Sequence, residues 1–314
     1  MLEKIENVIR VDKLRAILLM EADFNFINKL VFGHKMVKQC EQFSRFPEEL
    51  YGSRNNHSAV EVGVNRRLTL ETLKQKRRNG AIAGVDAAQC YDRIVHSLAI
   101  LLCRNEGAPI SSLLLMFGAI QSMEFFIRTT FGESTNSYGG IQTVPFQGSC
   151  QGNGASPALW LVLSMYIVLL YKEAGHVSNC KTAYSEIVMG LMGFLFVDDT
   201  DLVIIGDSDH SMDTVTTKLQ NAILCWNKLL RVTGGDLRPE KCYWYPIEFE
   251  WNKGISQIKT QTEGEVHLVT IDGKKVPIKR QPPNAAMEAV GIWQDATGSN
   301  TKQLDVLLDN IIKI

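Results

Sequence analysis

The sequence lacks any cysteine pairing signature. Its seven cysteines, at 40, 90, 103, 150, 180, 225 and 242, are an odd set with no Cys-x-x-Cys among them. Cys90, Cys103 and Cys225 sit inside apolar runs, where a small buried thiol is the ordinary reading. A disulfide framework is not expected, which favours a reducing compartment, nucleus or cytoplasm. No apolar stretch follows a basic start at MLEKIENVIR, so no secretory signal is read. No hydrophobic run reaches the roughly 20 residues that span a bilayer. The longest, Ala158 to Tyr171, reads as a buried helix, and no membrane partner is expected. Neither sign of charge dominates: 33 basic residues stand against 34 acidic, for a net charge of −1. The whole chain therefore carries no signal for nucleic acid or membrane, although a basic groove balanced by acid elsewhere stays open. There is no internal repeat, no low-complexity segment and no βαβ glycine fingerprint. With 45% hydrophobic and 21% charged residues in 314, disorder, collagen and coiled coil are excluded over most of the length. That length fits one large domain or two ordinary ones.

What is present is an alternation of helical and strand patterns. Residues 1–50 suggest helix through Leu18, Leu19, Phe26 and Leu30, although LRAILL also reads as strand. Residues 57–79 predict a helix ending in Lys74, Lys76, Arg77 and Arg78, with Asn79-Gly80 as the stop. That charge run is either a solvated helix end or a phosphate contact. AIAGVD at 81–86 predicts a strand ending on a carboxylate, and a helix follows over 92–104. Residues 131–157 predict a long polar loop feeding the apolar helix, a placement that leans functional. LMGFLFVDDTDLVIIG at 191–206 predicts a hairpin with Asp198-Asp199 at its tip. A helix over 213–233 ends at Gly234-Gly235. A second hairpin turns at Asp272-Gly273, EAVGIW at 288–293 predicts one more strand, and the tail from Gln303 predicts the first turns of a helix. This order points to an α+β fold.

The chemistry starts from the carboxylates. Two adjacent acids between apolar strands raise each other's pKa, and a cation relieves that crowding. All-oxygen ligands without a His partner point to a hard ion, Mg²⁺ or Mn²⁺. Asp86 also ends an apolar strand, and if the strand ends meet they form a platform for two ions about 3.5–4 Å apart, the device for in-line phosphoryl displacement. The bland reading is a solvated hairpin tip, because Asp is common in turns.

Taken in order, these segments resemble the reverse-transcriptase domain of retroelements, of the fingers–palm polymerase family. GVDAAQCYDRI resembles its motif A, QGNGASPALW motif B, FVDD motif C and GGDLRPEKC motif D, while EAVGIW lies where motif E falls. LRAILLMEADFNFINK and LYGSRNNHSAV are similar to its fingers segments. The resemblance covers residues 13 to 293. It implies a right-hand polymerase fold, with the palm an antiparallel sheet backed by helices and the thumb largely absent. Residues 1–80 would be fingers, 81–103 palm, 104–145 a fingers–palm connection, 146–295 palm and 296–314 the start of a truncated thumb.

The resemblance also implies roles. Asp86 and Asp198 are the expected metal ligands, with Asp199 in the same triad, two Mg²⁺ or Mn²⁺ ions as cofactors, and the Ala87 carbonyl completing one shell. Tyr91 matches the steric gate against a 2′-hydroxyl; a core aromatic is the other reading. Gln151 and Gly152 lie by the incoming nucleotide, and Ser156-Pro157 start the helix behind it. Gln151 is preferred over Gln147 because only it has Ser-Pro at the motif spacing. Lys241 is the expected general acid toward pyrophosphate, against a plain surface lysine. Arg15 matches the arginine that grips the triphosphate, where a bidentate fork suits phosphate. Arg54 is either a second fingers contact or a loop arginine. The partners implied are an RNA template, a DNA or RNA primer and dNTPs. No endonuclease or RNase H segment is read, so the missing endonuclease and thumb are expected from a parent polyprotein.

Three functions compete: an RNA-directed DNA polymerase, a catalytically idle nucleic-acid-binding remnant, and an RNA-directed RNA polymerase, against which Tyr91 argues. Tyr91→Ala is expected to raise ribonucleotide incorporation relative to deoxyribonucleotide in primer extension. Unchanged uptake would refute the gate.

Overall fold

In the computed structural model the described helices are α1 (Ala22–Asn28), α2 (Val37–Gln42), α3 (Ala59–Lys76), α4 (His96–Asn105), α5 (Ile110–Ser122), α6 (Ser156–Glu173), α7 (Met212–Val232) and α8 (Thr301–Ile312). The strands are β1 (Leu2–Glu3), β2 (Leu14–Arg15), β3 (Gly80–Asp86), β4 (Glu124–Thr129), β5 (Gly132–Gly139), β6 (Ser178–Lys181), β7 (Val188–Leu191), β8 (Gly193–Phe196), β9 (Asp199–Ile205), β10 (Tyr243–Ile247), β11 (Phe249–Asn252), β12 (Ile255–Ile258), β13 (His267–Val269), β14 (Lys275–Pro277), β15 (Lys279–Arg280), β16 (Met287–Ala289) and β17 (Ile292–Gln294). The structure describes residues 2–3, 14–15, 17–88, 90–129, 132–139, 147–181, 188–207, 210–261 and 263–312, the first two pairs by backbone alone. The chain is α+β and divides into two compact units. The first holds Met1–Phe46, Gln89–Ser164 and Thr233–Gly235, and the second Pro47–Ala88, Met165–Val232 and Asp236–Ile314. No helix among the described residues is long and apolar enough to cross a membrane.

In the first unit β1 and β2 pair antiparallel. Helix α1 runs through a π-helical stretch, Lys29–Met36, into α2, burying Phe32, Met36, Val37 and Cys40. The helix expected from residue 92 begins only at His96, because a 3₁₀ turn occupies Cys90–Arg93. Helix α5 buries Leu113, Met116, Phe117 and Ile120 at helical spacing. The expected loop over 131–157 is a strand in its early part: β5 pairs antiparallel with β4. Polar residues alternating along an exposed hairpin carry no apolar strand signal, which is why the pattern reads as loop.

The second unit is built on a five-stranded sheet in the order β15-β10-β3-β9-β8. All neighbours are antiparallel except the short β15 beside β10. Strand β3 is buried at every position until Asp86, as a strand covered on both faces must be. Leu70 and Leu73 of α3 pack with Ile82, Val203, Ile205, Tyr245 and Ile247 on one face. Ala81, Ala83, Leu202 and Ile204 are buried on the other, where α7 brings Val215, Leu219 and Ile223. The β13–β14 hairpin docks on α7 through side chains. Gln220 donates to the His267 carbonyl and accepts from its N–H, at 2.8 and 2.7 Å, and Arg231 donates to the Val269 carbonyl at 2.6 Å.

Local chemistry explains the boundaries. Ser58 and Glu61 form a capping box at the start of α3. The helix ends at Lys76 because Arg77 turns left-handed at φ 52°, three residues before the expected Asn79-Gly80 stop. EAVGIW is not one strand but the β16–β17 hairpin, turning at Val290-Gly291 with both φ angles positive. A two-residue turn inside an apolar run leaves too little polar signal to divide it. That hairpin seats on α3 where a glycine is required: a Cβ on Gly63 would lie 2.6 Å from Ile292 Cδ1. The tail helix is α8, with no buried residue and with Leu304, Leu307, Leu308 and Ile311 exposed.

The core of this unit contains a charge pair. Arg66 of α3 reaches the sheet with Nη1 3.5 Å from Asp201 Oδ2, and Nη2 donates to the Tyr243 hydroxyl at 3.4 Å. Both charged side chains are buried. Burial alone would lower the Arg66 guanidinium, and facing Asp201 keeps it charged. Tyr243 can lie across the sheet because its neighbour is Gly84, where a Cβ would stand 2.5 Å from the ring. Arg66→Met would leave Asp201 buried and unpaired, and is expected to cost about 3–5 kcal/mol in urea unfolding. Adding Asp201→Leu should return most of that loss. A double variant no more stable than the single one would show that the two side chains do not act as a pair.

Candidate functional site

The β3–β9 register decides the site. Asp86, the last residue of β3, is paired across the ladder with Asp199, the first residue of β9. Directly opposed antiparallel residues have Cα atoms about 4.5–5.5 Å apart and side chains on one face. The turn between β8 and β9 is Val197-Asp198, since Phe196 pairs with Asp199. Only Asp198 therefore sits in the turn expected to carry both acids. Asp199 has moved into the ladder, and that brings it to Asp86. Val197 holds φ 60°, an outlier for a β-branched residue. The turn is seated on Gly52, where a Cβ would come within 2.3 Å of the Val197 nitrogen. Residues 49–51 also cover the outer edge of β8 through the Leu195 N–H and carbonyl, so the hairpin has a fixed support.

The segment after α7 carries the cation. Asp236 accepts the Ala88 N–H at 2.7 Å and the Arg238 N–H donates to the Asp86 carbonyl at 3.1 Å, extending β3 by a bridge between Ala87 and Leu237. Asp236 is held by Arg231 Nε at 2.9 Å. The turn that follows places Lys241 Nζ 2.9 Å from Asp86 Oδ2. Burial, together with Asp198, Asp86 and Asp201 nearby, pushes the Asp199 carboxyl up to about 6, and Lys241 pulls the other way. A cavity of about 400 Å³ opens beside these groups, lined among others by Asp86, Asp199, Lys241, Tyr243, Met287 and Trp293. A second of about 360 Å³, by Trp244 and Arg280, touches none of the expected site residues.

The donor set suits a hard divalent ion, since all its ligands are carboxylate oxygens. Among the described residues, however, no three His, Cys, Asp or Glu side chains stand arranged to hold one ion. One Asp86 oxygen is taken by Lys241, whose ammonium supplies the positive charge that the crowded acids require.

Of the other expected residues, Tyr91, Gln151 and Gly152 lie in the first unit. The Tyr91 ring meets Trp160 edge-on at 6.5 Å, and its carbonyl accepts the Ser149 N–H at 2.7 Å. Gln151 accepts the Leu18 N–H with its carbonyl, at 2.8 Å. Gly152 has φ 116°, and a Cβ there would lie 2.3 Å from the Leu18 oxygen, so glycine is required. Asn25 brackets the loop, donating to the Gly152 carbonyl and accepting the Gly154 N–H. Ser156 opens α6 and bonds back to the Ser149 and Cys150 carbonyls at 2.8 Å. The Arg15 backbone lies in β2, and its side chain falls outside the described residues. Arg54, in the second unit, donates to the Pro47 and Leu50 carbonyls at 3.1 and 3.0 Å, the loop-arginine reading.

Sequence reasoning missed Asp201 and Arg66. Asp201 had a signal: at two residues from Asp199 on one strand it shares that face. Arg66 had none, because a charge in a helix pattern reads as solvated.

The comparisons with known proteins add little to this geometry. No protein-family model and no curated protein matches the chain. Among solved structures it is similar to apo telomerase from Candida tropicalis truncated from the C-terminal domain, at 12% identity and TM-score 0.48, covering 88% of this chain and 44% of that one. It is similar also to telomerase from Candida albicans in complex with a TWJ fragment of telomeric RNA, at 13% identity and TM-score 0.41, covering 88% and 38%. The chain thus spans less than half the length of these structures, and a likeness of this degree establishes neither a family nor an activity.

The pH dependence of stability tests the crowding. Asp199 holds its proton more tightly folded than unfolded, where its value is near 3.8. The proton therefore stabilises the metal-free fold below about pH 4, and that contribution is lost as pH rises through about 6. In EDTA, the Tm of the unsubstituted protein should fall relative to that of Asp199→Asn between about pH 4 and 6.5. Parallel Tm curves would show that the acids do not crowd.

Proposed function

We propose that the chain is a reverse-transcriptase domain of a retroelement, which extends a primer 3′-hydroxyl with dNTPs on an RNA template. The observation that carries this reading is the pairing of Asp86 with Asp199 at the strand ends, with Lys241 on Asp86. These are the carboxylates and the lysine that the ordered segments GVDAAQCYD, FVDD and GGDLRPEKC single out. An antiparallel-rich sheet backed by α3 and α7 is the platform such a site needs.

Asp86 and Asp199, with Asp198 beside them in the turn, would hold the divalent ions. Bound there, these ions supply charge stabilisation on the phosphates and lower the pKa of the attacking hydroxyl. Lys241, half-exposed on a flexible stem, would exchange Asp86 for the substrate phosphates. Its Nζ would give a proton to the departing pyrophosphate oxygen. Tyr91 would exclude a 2′-hydroxyl, Gln151 and Gly152 would line the nucleotide, and Arg15 would grip the triphosphate with a bidentate fork. Template sequence would be read by base pairing, so the protein needs backbone contacts more than base contacts.

One arrangement favours a second reading, the catalytically idle nucleic-acid-binding remnant: Lys241 occupies an Asp86 oxygen, and among the described residues no three-acid cage stands ready. Primer extension on an RNA template with dNTPs and Mg²⁺ separates the two. The polymerase reading expects extension by the unsubstituted chain, a drop of about a thousandfold or more in Asp86→Ala and Asp198→Ala, and a drop of about 10²–10⁴-fold in Lys241→Met. Absence of extension by the folded chain, with RNA bound, would establish the second reading.

A further inference from the structure

The second unit carries another chemistry at the end of the sheet opposite Asp86. Helix α3 ends there in Lys74, Lys76, Arg77 and Arg78, just before β3 begins at Gly80. Six residue steps along β3 put this end roughly 20 Å from Asp86, at about 3.3 Å per residue. Strand β10 ends at the same place, where Ile247 pairs with Gly80, and continues into the β11–β12 hairpin. That hairpin pairs with no other strand among the described residues. Its Trp251 is 68% exposed, and Arg77 lies over the ring at 5.9 Å. Lys253, also exposed, is at the hairpin tip.

The charges here are unequal. Glu248 is paired with Lys259 at 3.2 Å, Glu250 accepts from Gln257 at 2.9 Å, and Glu71 is paired with Lys74 and Arg67. Glu250 keeps its charge, since Gln257 is neutral, and Asp207 follows β9 at this end, so the four cations Lys76, Arg77, Arg78 and Lys253 outnumber two acids here, in a chain whose net charge is −1. The Arg77 guanidinium, which also donates to the Lys74 carbonyl, approaches the ring while most of the indole is open to water. Cations around an open aromatic face are the two elements of a single-strand binding surface: phosphates meet the cations and an unstacked base meets the ring.

We propose that this corner is a docking surface for single-stranded nucleic acid, separate from the acid rim, with Lys76, Arg77, Arg78 and Lys253 on phosphates and Trp251 stacked on a base. A duplex has no free base face for Trp251. An acidic peptide would use the cations and leave the ring idle.

The test is fluorescence anisotropy of a labelled oligouridylate twelve-mer with the full chain, in EDTA, from about 50 to 300 mM salt. It needs neither metal nor turnover, so its failure is separate from failure of the polymerase reading. Arg77→Ala/Arg78→Ala should flatten the slope of log K against log salt by about 1.4, at about 0.7 per single-strand phosphate contact. Trp251→Ala should weaken binding roughly five- to hundredfold with the slope unchanged, and Trp251→Phe should retain most of it. Circular dichroism melts should match the unsubstituted chain, since these side chains lie at the surface. Unchanged affinity and slope in all variants would overturn the proposal. So would an equal loss of duplex binding in Trp251→Ala and Arg77→Ala/Arg78→Ala, or full displacement of the oligonucleotide by a polyglutamate of matched charge.

Discussion

Asp86 and Asp199 face each other across the β3–β9 ladder, and much of the second unit is arranged around that crowding of like charge. Two carboxylates in direct opposition repel, and a third acid, Asp201, follows on the same face. Two of the three are met by a cation, each from a different element, and Asp199 between them is not. Arg66 comes from α3 beneath, buried against Asp201, while Lys241 comes from the segment after α7 and closes on Asp86. The two cations differ in kind. A buried guanidinium keeps its charge and fixes geometry, whereas a half-exposed ammonium on a flexible stem can leave.

This arrangement depends on backbone detail at a few positions. Gly84 lets Tyr243 cross the sheet to Arg66, and Gly52 lets the β8–β9 turn settle against its support with Val197 in a strained conformation. The bridge between Ala87 and Leu237 continues the sheet one step past Asp86 and sets where Lys241 emerges. Strain and packed like charge at one sheet end are stabilised by the apolar layers of α3 and α7 on the two faces. The basic end of the same sheet, by Trp251, has the opposite character. There the cations lie outside the core and face water, so they add little to stability and remain available to an anion.

The helices and the central strands were legible because their periodicity is strong: α3, α6, α7, β3, β8 and β9 lie where apolar spacing places them, within a few residues. The misses have local causes. The β5 strand is polar along its length, and the turn at Val290-Gly291 sits within an apolar segment. Helix α4 starts late because Cys90–Arg93 take a tighter turn.

The sequence by itself determined the α+β class, the order of the long helices and of β3, β8 and β9, and the acids at the ends of those strands, because these follow from local periodicity and from residue chemistry; β10 and the β6–β7 and β11–β12 hairpins were not read from it. It also located the glycine loop ahead of α6, where Gly152 occupies a conformation open to glycine. Only the tertiary structure decided that Asp199 and not Asp198 stands in register with Asp86, that Lys241 reaches Asp86, and that Arg66 is a buried partner of Asp201. The reason is physical. Strand register and cross-element ion pairs join residues more than a hundred positions apart, and no pattern local to either residue encodes which partner the fold will supply.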